Sequence, residues 1–340
     1  PLKEERGRRI FPQSDHSSDV IAALNWHGFG DVFQTAGALF HTSHMEYAYA
    51  LVMVLKFFCC GIVFLIFSRR YLHRDYARLS GALIYAFSIY GIQKGLDFWV
   101  FLNPMITFPL IICGIDDIRG NKGRISWPLI TGLVIQALSG FYFLYMEVIM
   151  AVGYFLIVQL ADKEGSFKER FTKLWKDGLA VLVQAVPGVG LGAVILLPAV
   201  IGYLTSSRTG KGFTAARILE WFFYDKEYYL TFIKSLVVPE IWESIVTVPL
   251  LVLLGLLAAF TTKKMSRAFK WVIIIFLVGF GMPFVGSMMN GFSYCTDRWY
   301  FGILLFLVIT AMIGMERVEK LGKVQIFSFC LLSVAIILYN

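Results

Sequence analysis

The sequence predicts an all-α polytopic membrane bundle of about ten transmembrane helices. Three observations carry that reading. Of the 340 residues, 58% are hydrophobic and 16% are charged, where a soluble domain of this length would be about a quarter charged. Apolar runs of roughly 16–25 residues recur, the length a helix needs to cross a bilayer. These runs do not alternate between apolar and polar positions, so they point to helices and not to barrel strands.

The formal net charge is +8. The basic residues are scattered through short loops, which matches positive-inside bias and gives no nucleic-acid-binding face. Cys59, Cys60, Cys113 and Cys330 fall inside apolar runs, and only Cys295 sits in a polar loop. No cysteine or histidine spacing suggests a disulfide or a metal site. No cofactor is expected; a divalent metal is allowed but not indicated. The chain starts at Pro1 and stops as an apolar run finishes, so a fragment of a longer protein is expected.

In order, residues 1–45 are polar and irregular and contain Asp15, Asp19 and Asp31. They read either as a solvated tail or as a loop carrying acids for chemistry. Ten apolar runs follow, across residues 46–340: Glu46–Phe67, Leu79–Ile92, Asn103–Ile118, Ile125–Leu138, Phe141–Leu160, Gly178–Leu204, Ile245–Phe260, Trp271–Met289, Tyr300–Met315 and Val324–Tyr339. Placing residue 1 outside puts 19 Lys and Arg in inner loops and 11 in outer segments. The short outer loops hold only Lys94 and Arg298. Residues 1–45, 93–102, 205–244 and 290–299 then share the outer face. This topology requires Ile125–Leu138 and Phe141–Leu160 to be two helices; as one helix they would flip every later loop. The 205–244 segment combines balanced charge with Trp221, Phe222, Phe223, Tyr224, Tyr228 and Tyr229. It reads as an amphipathic interfacial anchor or as a lid.

A charge inside a membrane needs a partner or a polar cavity. Lys56 and Glu147 lie within apolar runs and are expected to pair, or to line a cavity opening outward. Arg298 offers a planar fork of donors suited to phosphate; otherwise it pairs with Asp297. Lys94, Asp97, Arg208, Asn290 and Tyr294 are further binding candidates on the outer face. No nucleophile motif, phosphate-binding loop or dinucleotide fingerprint stands out. A carboxylate base with cations for a leaving phosphate remains, a combination suited to group transfer from a lipid phosphate to a hydroxyl.

Several segments, in order, resemble the YfhO family of bacterial membrane proteins. They are His27–Asp31 ahead of the run containing Lys56, Leu83–Tyr90, Asn103–Gly114, Gly140–Met146, Leu196–Arg208 and Asn290–Tyr300. The family is regarded as GT-C type glycosyltransferases implicated in glycosylating lipoteichoic acid. The resemblance implies a polyprenyl-phosphate sugar donor, a cell-envelope polymer or glycolipid acceptor, and chemistry at the outer face of the bacterial cytoplasmic membrane, among membrane lipids. It also implies a first membrane helix, which this fragment lacks, and a catalytic acid in the first outer loop, for which Asp19 and Asp31, then Asp15, are the candidates. A polytopic transporter or lipid flippase, and a non-catalytic envelope scaffold, are the rival classes.

Overall fold

A computed structural model describes residues 30–37, 40–120, 125–161, 166–205, 222–235, 247–261, 266–292 and 294–324, with scattered positions from 326 to 334. Among these residues every regular element is a helix. In chain order they are α1 Val32–Gly37, α2 Met45–Ser68, α3 Asp75–Ala86, α4 Ile89–Asp97, α5 Asn103–Gly120, α6 Trp127–Ser139 and α7 Phe141–Ala161. There follow α8 Phe167–Leu191, α9 Ala193–Thr205, α10 Lys226–Ser235, α11 Leu250–Thr261, α12 Arg267–Phe280, α13 Pro283–Met288 and α14 Tyr300–Met315. Among the described residues three stretches are long and apolar enough to cross a membrane: Met45–Ser68, Trp99–Gly120 and Phe141–Ala161. A fourth, Phe167–Leu191 with Ala193–Ile201, is bent by 84°.

Three predicted spans are broken, each at a residue that stops or restarts a helix. Leu79–Ile92 divides at Phe87–Ser88, where the Ser88 hydroxyl accepts from Gly91 N at 3.2 Å and caps a new helix. Gly178–Leu204 divides at Gly192, where a Cβ would run into Ala137 of α6. Trp271–Met289 divides at Gly281–Met282, and Pro283 opens α13. Most of Val324–Tyr339 lies outside the described residues.

Ile125–Leu138 and Phe141–Leu160 are two helices, joined at Gly140. They run in opposite directions. Helix α6 starts with Leu129 against Gly114 near the end of α5, and α7 finishes with Tyr154 bonded to Asp116, also near the end of α5.

The core is aromatic and centred on α14, whose residues Tyr300–Met312 are all buried. Phe108, Phe143 and Phe301 meet edge to face, and Phe306 lies between Tyr154, Phe269 and Phe276. Helix α14 crosses α11 where Gly314 meets Gly255, at a distance that leaves no room for a Cβ. Small residues let helix backbones approach in this way where lipid supplies no hydrophobic drive.

Contacts sort the loops to two ends. At one end Arg70 pairs with Asp117 at 2.6 Å. There Tyr71 and Tyr154 donate to Asp116 at 2.5 and 2.8 Å, and burial, with Asp116 and Tyr154 beside it, pushes the Tyr71 hydroxyl well above its ordinary range. Glu316 caps α3 by accepting from His73 N and Arg74 N at 2.7 and 2.6 Å. At the other end Tyr49 donates to Leu96 O, Tyr90 to Arg298 O, Tyr145 to Met288 O and Tyr229 to Gly281 O. The first end gathers the loops expected on the basic inner face. The second gathers the segments around residues 40–49, 93–102, 139–143 and 290–299.

Candidate functional site

Short helices and turns at the second end surround a cavity of about 540 Å³. It is lined by Lys94, Asp97, Phe98, Val100, Phe101, Ser139, Gly140, Phe141, Tyr142, Phe143 and Arg298. Ser88 starts α4, which carries Lys94 and Asp97 to the rim. Gly140 breaks the chain between α6 and α7, so Ser139–Phe143 forms a wall. A turn closed by Phe292 N to Ser287 O at 2.7 Å and by Thr296 N to Gly286 O at 3.3 Å brings in Arg298. In that turn Phe292, with φ 60, and Gly291, with φ 57, adopt the left-handed region.

Arg298 sits among aromatic rings. Its guanidinium carbon is 5.8 Å from the Phe101 ring centre and 5.7 Å from that of Tyr142, cation–π distances. Nη1 donates to the Tyr142 hydroxyl at 3.4 Å. Burial works to lower its pKa, but Tyr142, Tyr294 and Asp297 outweigh that and raise it, so the cation is retained. The alternative, a pairing with Asp297, is not what holds the side chain. Among the described residues no carboxylate forms an ion pair with Arg298.

Lys94, Asp97 and Arg298 are the predicted residues that the structure brings to one cavity. Asn290 and Tyr294 stand in the neighbouring turn: Asn290 is buried and donates to Tyr294 O at 3.2 Å, while the Tyr294 ring is exposed. Asp15, Asp19 and Arg208 lie outside the described residues, as does much of the 205–244 segment. Its described part meets the cavity end, where the Tyr224 hydroxyl lies 2.7 Å from Cys295 Sγ and Tyr224 stacks on Tyr228. Phe101 and the Ser139–Phe141 wall were not singled out as site residues from the sequence. The Gly140 break was the available signal for that wall; Phe101 is one aromatic among many.

The expected Lys56–Glu147 pair does not form. Lys56 is fully buried and donates to Asp31 Oδ2 at 2.5 Å, Asn103 Oδ1 at 2.7 Å and Trp99 O at 3.2 Å. Asp31 is also fully buried. Its Oδ1 accepts from Phe33 N at 2.9 Å, at the start of α1, and its Oδ2 accepts from Asn103 Nδ2 at 2.9 Å as well. A general base needs an accessible lone pair within reach of the proton it takes. Oδ2 accepts two bonds and Oδ1 one, and the carboxylate is buried away from the residues lining the cavity, so in this structure it anchors α1 and serves as the counter-ion for Lys56. Glu147 is fully buried elsewhere, with Oε1 lying 2.5 Å from Thr107 Oγ1. Neither Lys56 nor Glu147 lines the cavity. The two assemblies meet at the turn that leads into α5, where Trp99, Phe101 and Asn103 link the Lys56 cluster to the Arg298 wall.

Among the described residues no group of His, Cys, Asp and Glu could hold a metal ion. The cavity instead presents two cations, one carboxylate and aromatic faces, a set able to hold an anion beside a ring-shaped or apolar group.

A family profile described as "Bacterial membrane protein YfhO" matches residues 21–340. The uncharacterized protein YfhO of Bacillus subtilis (strain 168) is 23% identical over 265 residues, which is 78% of this chain. The match takes in 28% of that protein's own length. No solved structure matches. With the family matched across nearly the whole chain and helices of membrane-crossing length in place, this is a membrane protein, and the chain belongs to the YfhO family.

Proposed function

We propose that the protein is a glycosyltransferase of the cell envelope, moving a sugar from a polyprenyl-phosphate donor to a hydroxyl of an envelope acceptor such as lipoteichoic acid. The observation that carries the reading is Arg298: a cation at a cavity wall, framed by two rings and free of any ion pair among the described residues. Such a guanidinium suits a phosphate oxygen. Lys94 supplies a second charge across the same cavity.

In the proposed reaction the acceptor oxygen attacks the anomeric carbon. The bond from that carbon to the phosphate oxygen breaks, and the electron pair leaves with the phosphate. Arg298 and Lys94 stabilise the charge that develops there. Asp97, the carboxylate among the lining residues, takes the acceptor proton in place of Asp31. Asp15 and Asp19, ahead of the described residues, are the further candidates for that role. The cavity end faces outward on the positive-inside argument, because the opposite end carries the more basic loops.

The test uses the full-length protein and a radiolabelled polyprenyl-phosphate sugar. Arg298→Ala is expected to lower transfer about a hundredfold, the usual cost of removing one donor to a developing oxyanion. Asp97→Asn is expected to abolish most of the pH-dependent rate. Unchanged transfer in Arg298→Ala would remove that residue from the mechanism. Movement of the intact lipid across liposomes, with no covalent change, would replace the enzyme by a flippase.

A further inference from the structure

Glu147 is a carboxyl group inside a membrane-crossing helix, and the hydrogen bonds around it can be counted. Its Oε1 lies 2.5 Å from Thr107 Oγ1. Thr107 Oγ1 also lies 3.0 Å from Gln136 Oε1 and 2.9 Å from Asn103 O. The orientation of Gln136 is set by Gly140 O, 3.2 Å from its Nε2: a carbonyl only accepts, so the amide nitrogen faces it and Oε1 faces Thr107. The Thr107 hydroxyl carries one hydrogen; Asn103 O, four residues back in the same helix, has the Thr107 N–H as its helical partner, which leaves Gln136 Oε1 and, if Glu147 is ionised, its Oε1 as two acceptors for that one hydrogen. Given to Glu147, that hydrogen leaves Gln136 Oε1 facing an oxygen with nothing between them. Given to Gln136, it leaves two oxygens 2.5 Å apart with no hydrogen.

The other carboxyl oxygen makes the same point separately. Glu147 Oε2 is buried and has no hydrogen-bond partner. The cation buried among the same helices does not serve it, because Lys56 spends its three ammonium hydrogens on Asp31, Asn103 and Trp99 O. The other titratable groups facing Glu147 are Tyr85 and Tyr90, and both hydroxyls are committed, to Met105 O and to Arg298 O. A carboxylate here would be a lone charge in a low-dielectric core.

We propose that Glu147 is a neutral carboxylic acid whose O–H donates to Thr107, freeing the Thr107 hydrogen for Gln136 and so fixing the Ser139–Phe143 wall of the cavity. It is a positioning residue: it reaches the wall through Thr107, Gln136 and Gly140 O and touches nothing in the cavity itself. The chain crosses α7, α5 and α6 and ends at the junction between α6 and α7. The proposal stands whatever reaction the cavity serves.

Infrared difference spectroscopy on the full-length protein in lipid, wild type minus Glu147→Gln, reads the protonation state directly. The expected difference is a carbonyl stretch of a protonated acid, present in mildly acidic and mildly alkaline buffer alike. Loss of carboxylate stretches in its place would overturn the proposal. Thr107→Val carries the same test without touching Glu147: the acid carbonyl band is expected to shift as the proton loses its acceptor, and a band that stays put would refute the bond. Positioning is read by amide exchange across Ser139–Phe143. Glu147→Leu, with no donor, is expected to speed exchange there, and Glu147→Gln, whose amide donates to Thr107, to restore it. Equal exchange in both variants would reduce Glu147 to a filler of space.

Discussion

Lys56 shows how one residue type dictates its surroundings. An ammonium in the middle of an apolar helix has three hydrogens to place, and it places them on a carboxylate, a side-chain amide and a backbone carbonyl. With Phe33 N and Asn103 Nδ2 also donating to Asp31, the pair is closed. Taking away one partner of a buried pair strands the other charge, which costs about 3–5 kcal/mol, whereas replacing both by apolar groups is often neutral. Lys56→Met is therefore expected to lower stability by about that amount, and Asp31→Leu combined with Lys56→Met to recover most of it, as measured by denaturation of the protein in detergent. Equal loss in the single and double variants would mean that the two charges do not depend on each other. The sequence made the need for a partner plain but named Glu147. Depth along a helix can be read from spacing; which side a charge faces, and which preceding segment folds back onto it, cannot. Asp31 lies in the polar stretch before α2, where it read as a loop acid and a candidate base.

Among the elements, α5 and α3 are tied by a defect and its repair. Pro109 stands inside α5 and has no N–H to give to the carbonyl four residues before it. That carbonyl belongs to Met105, and the Tyr85 hydroxyl of α3 donates to it at 3.0 Å within the core. In lipid an unsatisfied backbone group has no water to turn to. Tyr85→Phe should thus cost about 1–3 kcal/mol, the penalty for leaving a buried acceptor bare. Pro109→Ala restores the N–H and should remove most of that penalty in a Tyr85→Phe background. A double variant no more stable than Tyr85→Phe alone would break the link. The long apolar runs gave the helices from Met45, Asn103, Phe141 and Tyr300 nearly to the residue, because hydropathy over twenty residues outweighs local detail. The breaks at Ser88, Gly192 and Gly281–Met282 were hidden for the same reason. Each is one or two residues inside an apolar window: Ser88 caps its own new helix and Pro283 opens another, while at Gly192 the reason is a close approach that the neighbouring α6 supplies through Ala137.

At the scale of the whole molecule, the alternation of helices sorts charge and chemistry to opposite ends. The Gly140 break makes α6 and α7 two antiparallel helices, as the expected topology requires. The cavity with Lys94, Asp97 and Arg298 lies at the end poor in short basic loops, and Arg70, Arg74, Arg78 and Arg119 gather at the other. A bilayer with positive-inside insertion would hold the end with these arginines in the cytoplasm and the cavity outside. Single cysteines test this directly, with exposed Cys295 and Cys330 first changed to serine. Leu96 is exposed beside the cavity and His73 is exposed at the opposite end. In intact cells a membrane-impermeant maleimide is expected to label Leu96→Cys and to reach His73→Cys only after lysis. The reverse pattern would put the cavity in the cytoplasm. There a water-soluble activated sugar would be the available donor, and the assignment of Arg298 to a lipid-linked phosphate would fail with the topology.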